Sequence, residues 1–314
     1  MIRSHSGKVS NSRYLRLIAG LAILALLILS VDRNALVSQL THLRADYLLY
    51  AAACIVVATL LGSFNAYLVV AIDSAVSYTK FLACYWFSWA LGLVVPGQVG
   101  DVATLTVLLK RAGLDWSKIM ARAVLDKFIS FFVMALLAGL ALLRFSAKVE
   151  IETDTMVWAV AIVFVVAAVA WYVARKVLAS HDVAWIDKIR SGFLDLAGFM
   201  SRRPGLVAIN FVGTTFKILL IGTAYWYVFK AGGAVNPPWF DVILLVTVSS
   251  LVAYIPISFN GLGTVEVTGI LLFSFLGLGQ ELVLSSYLVL RVTVLVIAWL
   301  PSLVILAFSG KSSH

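Results

Sequence analysis

The sequence predicts an all-α integral membrane protein, a single membrane domain over residues 1–314 with six full transmembrane helices and two re-entrant helical hairpins in two inverted-topology repeats. Three observations carry that expectation. The chain is 62% hydrophobic and only 12% charged, where a soluble domain averages about 45–50% apolar and roughly 25% charged residues. Surface-to-volume scaling leaves too much of such a surplus outside one soluble core, so it must face lipid. Apolar runs also recur near the ~20 residues that a helix needs to cross a ~30 Å hydrocarbon layer. Finally, two of the apolar regions are each interrupted by a turn rich in Pro and Gly.

The first span covers 14–31 and follows a tail bearing Arg3, Lys8, Arg13 and Arg16. This start has the look of a signal peptide, but Ser30-Val31-Asp32-Arg33 offers no small-x-small cleavage site, so a retained helix is expected. With its loop it accounts for residues 1–46. Repeat one, 47–144, places the spans 47–71 and 118–144 around a hairpin at 78–111. Residues 145–204 hold a span at 156–175 and then a polar stretch, 179–203. In that stretch Ile186, Ile189, Phe193, Ala197 and Met200 recur at helical spacing, which fits an amphipathic helix on the cytoplasmic leaflet. Repeat two, 205–309, sets the spans 205–229 and 281–309 around a hairpin at 240–277.

The hairpins follow from their turns. One breaks at Pro96-Gly97-Gln98-Val99-Gly100, the other at Pro256-Ile257-Ser258-Phe259-Asn260-Gly261-Leu262-Gly263. Pro removes a backbone donor and Gly tolerates the dihedrals of a chain reversal. The limb from Gly100 to Arg111 reaches only about 18 Å, too short to span. Broken backbone at membrane depth must be buried in protein or line a wet cavity. The repeat rests on an offset of 164 residues that carries Gly113 onto Gly277 and Lys127 onto Arg291. Inverted repeats recur in secondary transporters, whose sites lie at the repeat interface near the midplane.

Charge sets the orientation. With the N-terminus inside, fifteen Lys and Arg residues fall in the cytoplasm, while Arg33, Arg44, Arg144, Lys148 and Lys230, five in all, lie on the far side. Both termini are therefore expected in the cytoplasm. The net charge of +9 is carried at the ends of apolar segments, where anionic headgroups attract Lys and Arg, and nucleic acid is not an expected partner. Cys54 and Cys84 sit inside apolar runs as small hydrophobes. No spaced Cys/His cluster is present, so no metal or other cofactor is expected.

Charges inside the spans are the candidates for function. Lys127 and Arg291 each lie about ten residues into a helix, roughly 15 Å deep. A charge at the bilayer centre costs about 2.5–3.5 kcal/mol on insertion scales, so such groups must pair or face water. Lys127, Arg291, Arg122 and Lys217 are the expected headgroup-binding set, and Asp101, Asp126 and Glu266 the gating or counter-charge set. A scaffold reading stands beside this one. Arg122 and Asp126, four apart, can neutralise each other, and Asp101 and Glu266 can simply stabilise the starts of the hairpin limbs. At the hairpin tips, Gln98, Ser258 and Asn260 offer hydrogen bonds, with Pro96, Gly97, Gly100, Pro256, Gly261 and Gly263 shaping the turns.

The runs Pro96-Gly97-Gln98-Val99-Gly100-Asp101, Leu109-Lys110-Arg111-Ala112-Gly113, Asp126-Lys127 and Pro256 through Glu266 followed by Arg291 resemble the flippase-like membrane domain of lysylphosphatidylglycerol synthases. The resemblance covers about 40–309. Where that family commonly shows a Glu-Arg pair this chain has Asp126-Lys127, which keeps the charge order but loses the bidentate fork of Arg. The chain reaches His314 directly after its last span, so the resemblance implies a stand-alone member without the aminoacyl-transferase domain. It also implies lipid translocation or lipid-linked glycan work in a bacterial or archaeal plasma membrane. The expected function is movement of an anionic phospholipid or polyprenyl-phosphate headgroup, without catalysis. Its partners would be anionic membrane lipids, with a lipid-modifying enzyme or a second copy of the chain as protein partners. The alternatives are a membrane-embedded transferase, which would release product, and a scaffold for such an enzyme, which would neither release product nor move lipid.

Overall fold

The protein is described by a computed structural model, which covers residues 6–94, 100–149, 184–255 and 258–309. The predicted span 156–175 and the turn residues Pro96, Gly97, Gln98 and Pro256 lie outside them. Everything described is helical or turn. In chain order the helices are α1 (Ser6–Ser30), α2 (Arg33–Thr41), α3 (Ala45–Val70), α4 (Tyr78–Val94), α5 (Gly100–Arg111) and α6 (Trp116–Val149). They continue as α7 (Ala184–Arg202), α8 (Pro204–Ala231), α9 (Trp239–Leu251), α10 (Thr264–Phe273) and α11 (Gln280–Ser309).

Four of these, α3, α6, α8 and α11, are each long and apolar enough to cross a membrane. A fifth crossing is reached if Leu17–Ser30 and Arg33–Thr41, bent by 98° to each other, count as one span. The bend has a local cause. Asp32 caps α2, its Oδ1 accepting from the backbone N–H of Asn34 at 2.8 Å and of Ala35 at 3.2 Å. The sequence expectation ended the first helix at 31 and took the next residues as loop; the cap instead starts a new helix in a new direction.

The short helices α4 and α5 pack together, as do α9 and α10. Each second limb ends in the same device. Gly113 and Gly277 adopt φ of +94° and +71°, and Leu114 N–H donates to Leu109 O as Leu278 N–H donates to Phe273 O. These are helix stops of the Schellman type, which place Gly where a side chain would be strained. Asp115 then caps α6. The hydrogen bond from the Ser117 hydroxyl, aided by backbone donors, holds the Asp115 carboxyl below the usual carboxylate range.

Helices α3 and α8 form the central pair, with α4 against α11 and α9 against α6. Trp86 of α4 donates its indole N–H to the Ile297 carbonyl of α11 at 3.2 Å. Arg144 near the end of α6 pairs with Asp241 at the start of α9 at 3.2 Å. Val69, Leu244 and Ile243 are fully buried where these helices meet.

The first helix has a distinct seat. Gly20 and Gly263 let α1 lie against the second hairpin turn: a Cβ on Gly263 would meet the Gly20 carbonyl at 2.9 Å and Ile23 at 2.8 Å. Gly263 also has φ +79°. Replacement of Gly263 by alanine combines a clash with left-handed backbone strain, and about 2–4 kcal/mol of destabilisation is expected. Thermal unfolding of the purified variant in detergent checks this, with Gly139→Ala, whose Cβ would meet nothing within 4 Å, as the control.

Candidate functional site

Two adjoining cavities of about 320 and 370 Å³ lie among α3, α4, α6, α8 and α11. They share the side chains of Lys127, Lys217, Tyr225 and Asn260, so they form two lobes of one space. Asp101 lines the first lobe, and Glu266 and Arg291 line the second. Five of the seven charged residues singled out from the sequence are thus brought to one place.

Two ion pairs frame this space, one from each half of the chain. Lys127 of α6 pairs with Asp101, in the first turn of α5. Arg291 of α11 pairs with Glu266, in the first turn of α10, at 2.6 Å from Nη2 and 3.0 Å from Nε, both to Oε1. Each carboxylate therefore binds a base on the next helix from a position that also favours anions, a helix start. Asp101 Oδ1 accepts from Val102 N–H and Glu266 Oε2 from Gly263 N–H, at 2.8 Å in both cases. The pairs differ in environment. The Glu266 side chain is 0% exposed and Arg291 30%, against 25% for Asp101 and 39% for Lys127.

Lys217 reaches the cavity from α8. A Cβ on Gly62 would stand 3.0 Å from Lys217 Cδ and from Tyr85 Oη, so this glycine of α3 leaves the room both side chains use. The Lys217 ammonium donates to Ser130 Oγ at 3.4 Å. Among the described residues no carboxylate stands within ion-pair distance of it.

Of the remaining two charges, Asp126 stands behind the first lobe, beside Asp101 and Lys127, and Arg122 lies elsewhere. Asp126 is buried and accepts from Asn210 Nδ2 at 2.9 Å, facing a small void of about 20 Å³. Arg122 is not joined to Asp126, contrary to the neutralising pair that the spacing of four suggested. Its Nε donates to Asp195 of α7 at 2.8 Å, and its Nη1 to Asp73 and to the Val69 carbonyl at 3.3 Å each. The guanidinium also lies over the Phe199 ring at 4.5 Å. Arg122 lines a separate cavity of about 440 Å³ with Asp73, Lys80 and Lys118, so it is not gathered with the headgroup-binding set. The reason is tertiary: partners 49 and 73 residues away outcompete a neighbour one turn along.

Of the hairpin-tip residues, Gly100 opens α5 and is buried, and Ser258 hydroxyl contacts Thr264 Oγ1 at 3.0 Å. Asn260, at φ +50°, donates from Nδ2 to the Leu93 carbonyl at 3.3 Å and so ties the second turn to the first hairpin. Gly261 and Gly263 take φ of +73° and +79°. Sequence reasoning missed the cavity's hydroxyls, Tyr85, Tyr225, Tyr254 and Tyr287. Their signal is faint, a phenol within an otherwise apolar run. It also missed Asn210, whose amide satisfies Asp126.

The resulting space has polar groups converging from both halves of the chain. No curated protein sequence matches the chain. The model of the lysylphosphatidylglycerol synthase TM region matches residues 17–303, nearly all of it. The chain belongs to that family, a multi-pass helical membrane protein with a membrane lipid-related function.

Proposed function

We propose that the protein moves an anionic lipid headgroup across the plasma membrane through the cavity framed by Lys127, Lys217 and Arg291. The single observation that carries this reading is the convergence of these three bases, from α6, α8 and α11, on one space. A phospholipid headgroup crossing ~30 Å of hydrocarbon must be sheltered, and a wet pocket with fixed donors replaces its water. The acyl chains stay in the bilayer while the headgroup passes.

In this reading α4–α5 and α9–α10 are re-entrant hairpins, entering from opposite faces, and the chain has six full spans with both termini in the cytoplasm. The matching stops at Gly113 and Gly277 and the matching ion pairs support two copies of one unit. Inversion of such copies lets a single site open to either leaflet by rocking one half on the other. Asp101 and Glu266 then act as gates: each holds a base while the site is empty and yields it as a phosphate arrives. The protein carries out no bond-making step in this scheme and calls on no cofactor. Its partner is the lipid itself.

The test is lipid translocation in proteoliposomes, read as the protection of a fluorescent phosphatidylglycerol from an external quencher. Lys127→Ala and Arg291→Ala are each expected to slow translocation by about 10–100-fold, the loss of one charged hydrogen-bond donor at a low-dielectric site. Equal rates in correctly folded variants and parent overturn the reading.

A further inference from the structure

We infer that Lys217 is the group that takes the headgroup phosphate, and that the site selects a headgroup with one net negative charge. This rests on the reading above and assigns the roles within it. The other two bases of the cavity are already held: Lys127 by Asp101 and Arg291 by Glu266, the latter through two donors on one carboxylate oxygen. Lys217 alone of the three meets no carboxylate at ion-pair distance among the described residues, and its one side-chain contact is to a neutral hydroxyl at 3.4 Å. An ammonium has three donors. One is engaged, weakly, and the others have the cavity in front of them.

The charge balance of the wall says which ligand suits it. Three bases and two carboxylates line the two lobes, one positive charge in excess. Asp126 supplies the balancing charge from behind Asp101 and Lys127, where Asn210 satisfies it and it lines the small void that adjoins the first lobe. The empty core is thereby neutral overall, which eases insertion, while the face turned to the cavity is positive. A phosphodiester lipid of net charge −1 completes that face. A zwitterionic headgroup brings a second positive group into a space that already has one too many, and a phosphomonoester brings a charge that no donor is left to meet. The Gly62 gap fixes the direction of approach, since it lets the Lys217 stem lie flat on α3 beside Tyr85 Oη.

The experiment is calorimetric titration of the full chain in detergent with short-chain phosphatidylglycerol, phosphatidylcholine and the soluble phosphodiester glycerophosphoglycerol. Parent, Lys217→Met, Lys217→Arg and Lys127→Met are compared, with thermal unfolding to confirm that each is folded. The parent is expected to bind phosphatidylglycerol about tenfold more tightly than phosphatidylcholine, the effect of one charged contact. Lys217→Met is expected to bind the two alike, and Lys217→Arg to keep the preference. Lys217→Met that keeps the preference while Lys127→Met loses it overturns this assignment and leaves the lipid site standing. A parent that binds neither lipid overturns both. Glycerophosphoglycerol binding as tightly as phosphatidylglycerol identifies a soluble phosphodiester as the ligand, and the lipid assignment falls.

Discussion

Replacement of Glu266 by alanine is expected to destabilise the protein by about 3–5 kcal/mol, the cost of leaving a partner charge unpaired in the interior. The carboxylate is fully buried, accepts from Nε and Nη2 of Arg291 on Oε1, and caps the start of α10 through Oε2 and Gly263 N–H. Its removal strands a charge and a backbone donor together. The informative comparison is Glu266→Leu with Arg291→Met. Replacing both members of a buried pair by apolar groups is often neutral or stabilising, so the double variant is expected to regain most of the lost thermal stability while lipid translocation stays as slow as in Arg291→Ala. A double variant as unstable as Glu266→Ala would show that the pair is not where the stability resides. Asp101→Ala is expected to cost less, because the Lys127 pair is more exposed.

Arg122→Met is the second large effect, about 3 kcal/mol, from the loss of charged hydrogen bonds around a buried guanidinium. Arg122 joins three parts of the molecule: Asp195 and Phe199 on α7, Asp73 after α3, and the Val69 carbonyl at the end of α3. Arg203 contributes through Asp73 at 2.8 Å. Without Arg122, Asp73 and Asp195 are left facing one another's neighbourhood with less cation, and α7 loses its main polar tie to α6. Limited trypsin digestion checks this, with cleavage at exposed Arg190 and Arg202 expected to accelerate about tenfold. Arg122→Lys is expected to fall between, since a single ammonium cannot reproduce the guanidinium fork. Unchanged cleavage in Arg122→Met would mean that apolar packing through Phe199 holds α7 by itself.

How far the sequence disclosed all this depended on the range of the force involved. Lys127 and Arg291 stand out in the sequence because a charge amid apolar residues is conspicuous, and Asp101 and Glu266 stand out as acids at the starts of the hairpin limbs, but which acid meets which base comes only from the fold. The stop at Gly113 and its counterpart at Gly277 were visible as a coincidence of spacing, and the left-handed φ values supply the physical reason. Arg122 misled for the opposite reason. A neighbour four residues on is a sound partner for an isolated helix, but α7 delivers Asp195 from the far end of the chain's middle segment and the loop after α3 delivers Asp73. Nothing local encodes either meeting. Lys217 is as conspicuous in the sequence as the other bases, but what sets it apart, no carboxylate at ion-pair distance among the described residues, depends on tertiary contacts that the sequence does not spell out. The tyrosines of the cavity went unnoticed because a phenol in an apolar run serves lipid-facing and cavity-facing positions equally well.

The seat of α1 on the second hairpin turn has a mechanical consequence. Gly20 and Gly263 touch backbone to backbone, and Asn260, three residues before Gly263, holds the Leu93 carbonyl and borders both lobes of the cavity. A tether or bulky fusion attached ahead of Gly20 is therefore expected to load, through α1, the wall beside Lys217, and surface immobilisation by that end would hold the molecule by its own lever.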